Sequence, residues 1–238
     1  MTSPRLTLVT GATRGLGFAS ALALARAGHH VIATGRTQGA LEALDDAIHS
    51  EGGSCTLVPL DLRERDPINQ LAAILAERYG RLDGLFANAG ILGEITPASQ
   101  VTPAVWKDVV ATNLTANVDL IRALDPLLRA SPAGRAVFVT SGVAQSRRPY
   151  WAAYAASKAG LEAFVQCYAR EVEVTPLRVN LLNPGATATA MRAKAMPGED
   201  PATLPQPQDV APLVVEMLEE TYTGVAHIVS YRDWAESD

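Results

Sequence analysis

A short apolar strand that ends in a glycine-rich turn and feeds straight into a helix constrains this chain more than any other feature. The run Leu6-Thr7-Leu8-Val9-Thr10 is followed at once by Gly11-Ala12-Thr13-Arg14-Gly15-Leu16-Gly17, then by an Ala/Leu-rich stretch that reads as a helix to residue 27, where Gly28 stops it. Gly11 permits a tight turn. Gly15 and Gly17 let the helix begin close to the strand, so that its first N–H groups and its dipole face whatever lies beyond the turn. Such a unit buries both its faces within a layered α/β sheet. A glycine-rich turn that binds nothing has the same spacing, so the turn alone speaks to architecture before function.

The rest of the chain repeats the alternation. Further strands are expected at 31–34, 55–60, 85–88, 136–140, 178–182 and 225–229, and helices at 40–49, 67–79, 103–129, 152–173 and 210–219. Right-handed crossovers between such units give a doubly wound parallel sheet. Residues 186–208 carry Pro197, Pro201, Pro205 and Pro207 and read as an excursion from that framework. With 48% apolar and 5% aromatic residues, the chain suits helices packed on a parallel sheet better than a β-sandwich. No linker or repeat divides it, so residues 1–238 are expected to form one domain.

A net charge of -5 gives no field that would draw in nucleic acid. No apolar run reaches the ~18 residues of a membrane span, and the N-terminus lacks the features of a signal peptide. Cys55 and Cys167 read as small buried apolar groups in a reducing, cytoplasmic compartment. The histidines offer no metal site, since His29 and His30 are adjacent while His49 and His227 stand alone.

In doubly wound sheets ligands bind at the carboxyl ends of the strands, and chemically suggestive residues recur there. The glycine turn faces the place of a dinucleotide pyrophosphate. Arg36 follows the second strand, where an acid would accept a hydrogen bond from a ribose 2′-OH and favour NAD(H); an arginine instead suits a 2′-phosphate. With Arg14 as a second cation, NADP(H) is the expected cofactor, although solvated surface arginines would read the same. Asp61 and Leu62 after the third strand are placed to meet an adenine. Asn88-Ala89-Gly90 ends the fourth, and Pro184-Gly185 with Thr187 and Thr189 follows the sixth, where a carboxamide would be held. Each of these also reads as an ordinary turn or cap.

Tyr154 and Lys158 are four residues apart on the long helix and so share a face. A phenol with a pKa near 10 needs a neighbouring ammonium before it can exchange protons near neutrality. Ser141, at the end of the fifth strand, is placed to donate to a substrate oxygen; it has no His/Asp partners that would make it a nucleophile. Asn113 falls inside a helix, where it is expected to disturb the ladder and hold a water that serves Lys158. Tyr150 also precedes a residue at the four-residue spacing, but that residue is Tyr154 rather than a lysine. A substrate pocket is expected from Ile91-Leu92, Gly142-Val143-Ala144, Tyr150-Trp151, and Met191 and Met196 of the excursion. Arg147-Arg148 stand at its mouth.

Taken jointly, TGATRGLG (10–17), Asp61-Leu62, NAG (88–90), Asn113, Ser141, YAASK (154–158) and NPG (183–185) resemble the short-chain dehydrogenase/reductase family in its compact branch. The run Gly185-Ala186-Thr187-Ala188-Thr189-Ala190-Met191-Arg192-Ala193 is similar to that of the YciK-type bacterial members. The resemblance implies a Rossmann-type sheet of about seven strands and cofactor contacts along the turn from Gly11 through Thr13, Arg14, Gly15, Leu16 and Gly17. It also implies an Asn113-Ser141-Tyr154-Lys158 tetrad that passes hydride between NADP(H) and a small carbonyl or alcohol substrate, in a homodimer or homotetramer. The last strand departs from the family's Asp-Gly-Gly ending, reading Val229-Ser230-Tyr231-Arg232-Asp233-Trp234, which puts the tetramer contact there in doubt. An NADP(H)-binding sensor or scaffold without turnover, or an epimerase or dehydratase on the same fold, remains open at this stage.

Overall fold

The structure, a computed structural model, describes residues 4–237. Seven strands form one sheet: β1 (Leu6–Thr10), β2 (His30–Gly35), β3 (Ser54–Pro59), β4 (Gly84–Ala87), β5 (Arg135–Val139), β6 (Arg178–Asn183) and β7 (Ile228–Ser230). They lie in the order β3-β2-β1-β4-β5-β6-β7 and every neighbouring pair is parallel. The doubly wound Rossmann-type expectation holds. The order reverses between β1 and β4, and the crevice above their carboxyl ends is where such sheets take ligands.

The helices cover both faces. One face carries α1 (Gly15–Arg26), α2 (Gln38–Ser50) and α9 (Pro207–Leu218). The other carries α3 (Arg65–Tyr79), α5 (Ala116–Ala130) and α7 (Ala152–Glu171). Adjacent strand residues divide accordingly: Leu8, Leu85, Phe138 and Leu181 enter the core shared with α3, α5 and α7, whereas Val9, Phe86, Val137 and Leu182 enter the other. Period-two alternation is therefore real, yet both faces are covered, and all five residues of β1 are buried, Thr7 and Thr10 included. At about 1.5–3 kcal/mol for each fully buried large side chain, these two layers supply the main force holding the sheet.

Several boundaries differ from expectation for local reasons. The helix expected over 103–129 is α4 (Pro103–Val110), a π-helical turn over Ala111–Thr115 and then α5. The excursion contains the short α8 (Ala190–Ala195) and a 3-10 turn over Pro201–Thr203. It ends where α9 begins, three residues before 210, on a capping box in which Gln206 and Asp209 satisfy each other's backbone. The final strand was expected at 225–229 but lies at Ile228–Ser230. The segment before it is held otherwise: Asn180 Nδ2 donates to the Gly224 carbonyl at 2.7 Å, and Ala226 adopts φ 57°. A short α10 (Tyr231–Ala235) then turns back on α9, where Trp234 Nε1 donates to Glu216 Oε2 at 2.8 Å.

The cysteine expectation needs correction. Both are free, but Cys55 is half-buried on edge strand β3 and Cys167 is exposed on α7. Among the described residues, no helix is long and apolar enough to cross a membrane.

Candidate active site

The glycine turn is built from β1, β2 and β4 together. Ala12 N donates to the Thr34 carbonyl at 3.0 Å, tying the turn to the end of β2. Asn88 Nδ2 donates to the carbonyls of Thr10 (3.0 Å) and Gly11 (3.3 Å), tying it to the end of β4. In return Thr10 Oγ1 accepts from the N–H groups of Asn88 and Ala89 at 3.0 and 3.1 Å. Gly11 and Gly15 have φ of 64° and 54°, a region that favours glycine. Gly17 is required for space: a Cβ there would stand 2.3 Å from the Gly11 carbonyl oxygen and 2.5 Å from Asn88 Nδ2. Helix α1 thus starts hard against the strand, without a side-chain cap and without an acid in its first turn, so its N–H groups remain open to an anion.

Thr13 lies on the end of β2, where its Cγ2 is 2.5 Å from the place a Gly35 Cβ would take. Leu16 turns into the core, leaving its backbone to face the crevice. Arg14 and Arg36 are exposed on either side of this junction. Asp61 is ion-paired to Arg63 (Oδ2 to Nη2, 2.6 Å), which, with a smaller contribution from Arg36, holds its carboxyl below the usual range. Arg63 is thus a third cation in this corner, one the sequence did not single out. Leu62 is buried beside it.

On the other side of the crevice, Asn183 Oδ1 accepts from Gly142 N (3.2 Å) and Gly185 N (3.1 Å), coupling the ends of β5 and β6. Thr187 Oγ1 donates to the Pro184 carbonyl at 2.9 Å. Thr189 caps α8, its Oγ1 accepting from Arg192 N at 3.2 Å, and its Cγ2 lies 3.4 Å from where a Gly15 Cβ would stand. The excursion therefore closes over the glycine turn itself. It is braced by the Arg192–Glu199 ion pair (Nη2 to Oε1, 2.6 Å) and by Lys194 Nζ donating to the Gly93 carbonyl at 3.3 Å.

Ser141, Tyr154 and Lys158 meet above β5. Lys158 is buried, and its Nζ donates to the Val139 carbonyl at 2.7 Å while standing 5.9 Å from the Tyr154 ring centroid. Burial pushes its ammonium down to about 8, against a smaller upward pull from Glu162. The Tyr154 phenol is pushed up by burial and eased back by hydrogen bonding from Ser141. The lowering expected from Lys158 is thus not what governs Tyr154 here; the ammonium is turned to Val139 instead. Trp151 holds the Tyr154 ring edge-on, with centroids 5.9 Å apart.

Asn113 sits in the π turn, fully buried. Its Oδ1 accepts from Ile91 N (2.8 Å), and its Nδ2 donates to the Ile91 carbonyl (2.9 Å) and to Ser157 Oγ (3.1 Å). Both amide hydrogens are engaged, so no N–H of this side chain is left for a proton relay. Its place is nonetheless close: a Gly90 Cβ would stand 3.3 Å from Asn113 Oδ1 and 3.6 Å from Lys158 Nζ. Ser157, whose Oγ donates to the Tyr154 carbonyl at 2.8 Å, completes the latch.

The expected pocket lining is only partly present. Leu92 and Ala144 are buried in the interior, and Tyr150 swings outward with φ 73° and 59% exposure. A cavity of about 260 Å³ lies inside the excursion, between Arg192, Met196, Glu199, Pro201, Leu204 and Gln206; the tetrad is not part of its wall.

The fold and this constellation define a short chain dehydrogenase: residues 5–200 match the family model for that group, and the chain belongs to the family as one of its oxidoreductases. It is similar to the oxidoreductase YciK of Escherichia coli K12, with 42% identity over 217 residues, covering 90% of this chain and 86% of that one. Among solved structures it resembles a short chain dehydrogenase of Shigella flexneri complexed with NADP (TM-score 0.92, 40% identity, 96% of this chain and 97% of that one). It also resembles one of Escherichia coli CFT073 complexed with NADPH (TM-score 0.90, 40% identity, 96% of each chain).

Proposed function

We propose that this oxidoreductase uses NADP(H) to pass a hydride between nicotinamide and a carbonyl or secondary alcohol, with Tyr154 as the proton donor and acceptor. The observation that carries the reading is the buried Lys158 ammonium, one helical turn from the Tyr154 phenol that Ser141 hydrogen-bonds, at the carboxyl end of β5. The chain's own residues fit the cofactor: a glycine cradle too tight for a Cβ at Gly17, an uncapped helix N-terminus and exposed Arg14 and Arg36. The NADP and NADPH complexes of the two similar structures support the same choice. Gly11, Thr13, Arg14, Gly15, Leu16 and Gly17 would hold the pyrophosphate side, with Arg36, Asp61 and Leu62 at the adenosine. Asn88, Ala89 and Gly90 would line the middle, and Pro184, Gly185, Thr187 and Thr189 the nicotinamide end. Once bound, reduced nicotinamide supplies the hydride.

Ser141 Oγ donates to the substrate oxygen and orients it toward Tyr154. As negative charge develops on that oxygen, Tyr154 gives up its phenolic proton; in oxidation it takes the proton back. Lys158 spends one N–H on Val139, and its remaining two are available to the phenolate and to a ribose hydroxyl. A positive charge in this low-dielectric site stabilises the phenolate that its apo surroundings disfavour. Asn113 fixes the loop at Ile91 and, through Ser157, the turn of α7 that carries Tyr154. The free cysteines suit the reducing cytoplasm. Pairing of two copies through α4, α5 and α7 is supported by Trp106 and Phe164, exposed at 48% and 38%.

The test is NADPH oxidation and NADP⁺ reduction over a carbonyl and alcohol panel, with Tyr154→Phe alongside. Loss of at least about 100-fold in kcat is expected on removal of the proton donor. Equal turnover by the variant would sink the mechanism, and NADPH binding without turnover of any compound would favour a sensor.

A further inference from the structure

Glu162 is a buried carboxylate one turn beyond Lys158 on α7, and nothing in the proposed proton transfer uses it. Its donors are neutral and come from the end of β5 and the short helix after it. Thr140 Oγ1 donates to Oε1 at 2.5 Å, and Gln145 Nε2 donates to Oε1 and Oε2 at 2.8 and 2.7 Å. Thr140 is fully buried and directly precedes Ser141; Gln145 lies in α6 (Val143–Ser146), four residues after it. One carboxylate therefore grips the chain on both sides of Ser141. The helix it grips from is the one that carries Tyr154 and Lys158.

We propose that Glu162 is a positioning residue, which sets the register of Ser141 against Tyr154 and Lys158 by clamping residues 140 and 145 to α7. This rests on the reading of those three residues as the reacting groups. The same clamp serves Lys158 twice. Val139, whose carbonyl anchors Nζ, is the residue before Thr140, so holding Thr140 holds that anchor. Glu162 is also the negative charge nearest along the helix, and it favours the ammonium that burial disfavours. The titratable groups facing Lys158 are Tyr154 and Glu162, both on α7. From β5 it meets the Val139 carbonyl, and from the loop and π turn Gly90, beside Asn113, all neutral. A carboxylate buried without a formal cation in contact is costly.

The chain has three lysines, Lys107, Lys158 and Lys194, so an NMR titration of lysine labelled with ¹³C at Cε resolves Lys158 without any substrate. In Glu162→Gln the Lys158 signal should titrate lower than in wild type by roughly half a pH unit or more, while Lys107 and Lys194 stay put. Thr140→Val keeps the charge but removes the side of the clamp that precedes Ser141, leaving Gln145 on the other. Because the Val139 anchor adjoins residue 140, its Lys158 titration should move, but by less than in Glu162→Gln, while kcat for benzil with NADPH falls about tenfold and the Kd for NADPH is unchanged. Coincident Lys158 titrations in wild type and Glu162→Gln would overturn the charge role, and wild-type kcat in Thr140→Val would overturn the clamp. Failure of wild type to reduce benzil or any other carbonyl would count against the proposed reaction instead, since the lysine titration is read without turnover.

Discussion

Replacing Gly17 by alanine puts the glycine turn under a measurable load. The new Cβ would lie 2.3 Å from the Gly11 carbonyl oxygen, 2.5 Å from Asn88 Nδ2 and 3.0 Å from the Gly11 carbonyl carbon. An ordinary carbon–oxygen contact is about 1 Å longer than the first of these. The turn cannot simply retreat, because Ala12 N is bound to Thr34 and Asn88 Nδ2 to Thr10 and Gly11. Overpacking of this kind costs about 1–3 kcal/mol, and each weakened hydrogen bond about 1 more. The better helix propensity of alanine offsets roughly 1 kcal/mol. A net loss of about 2–3 kcal/mol should lower Tm by roughly 4–12 °C in a chain of this size. NADPH affinity should fall further than stability does, because the displaced carbonyl and helix start are the cradle itself. Gly39→Ala is the matched control: nothing lies within 4 Å of its Cβ position in α2, and it should be neutral or stabilising by up to about 1 kcal/mol. Thermal melts and NADPH titrations of both variants check this. A Gly17→Ala protein with wild-type Tm and wild-type Kd would refute the reasoning.

Arg36→Asp should lower the preference for NADPH over NADH by roughly 10–100-fold, the worth of one charge-assisted contact; paired Kd measurements decide, and an unchanged ratio would remove Arg36 from the 2′-phosphate site. Acidification should destabilise the fold through His29 and His30. Burial holds both below the usual histidine range, outweighing for His29 the Glu219 carboxylate 3.3 Å from its Nε2. The unfolded chain then binds protons that the folded chain refuses, so their contribution is complete above about pH 6.5 and is lost as pH falls from there toward the folded values. Each contributes a slope of up to about 1.4 kcal/mol per pH unit. Urea midpoints at pH 7.5 and 5.5 should fall in that order and the difference should shrink in His29→Gln; a midpoint that rises on acidification would contradict it.

The order of elements was legible because each strand of a covered parallel sheet is a compact apolar run and each crossover a helix of sufficient length. The strand-end residues were legible for a related reason. A glycine at 11, an arginine at 36 or a Pro-Gly at 184–185 has a proposed role that depends on residues only a few positions away in sequence. Boundaries were less so where a contact across the fold decides them, as Asn180 with Gly224 does for the start of β7. The same distinction explains which parts of the site stayed hidden. Asn183, Ser157 and Glu162 each act by bridging segments far apart in sequence: 183 to 142, 157 to 113, and 162 to 140 and 145. Asn183 and Ser157 stand inside the NPG and YAASK motifs and Glu162 just beyond the latter, but nothing in the sequence names the partner of any of them. Their role becomes visible only when burial is added to the pairing, because a buried polar group without partners is expensive and one with partners from two elements fixes how those elements meet. Tyr154 shows the converse. Its partner at the four-residue spacing was plain in the sequence, but the direction of its pKa was not: that depends on how far α7 sinks the phenol and on where Lys158 Nζ turns, both set by the packing of α7 against β5. The groups proposed to react are thus written locally, while the geometry that tunes them is written in contacts between strand ends and α7. Substitutions at Glu162 or Thr140 should consequently alter rate and pH response with every motif residue intact.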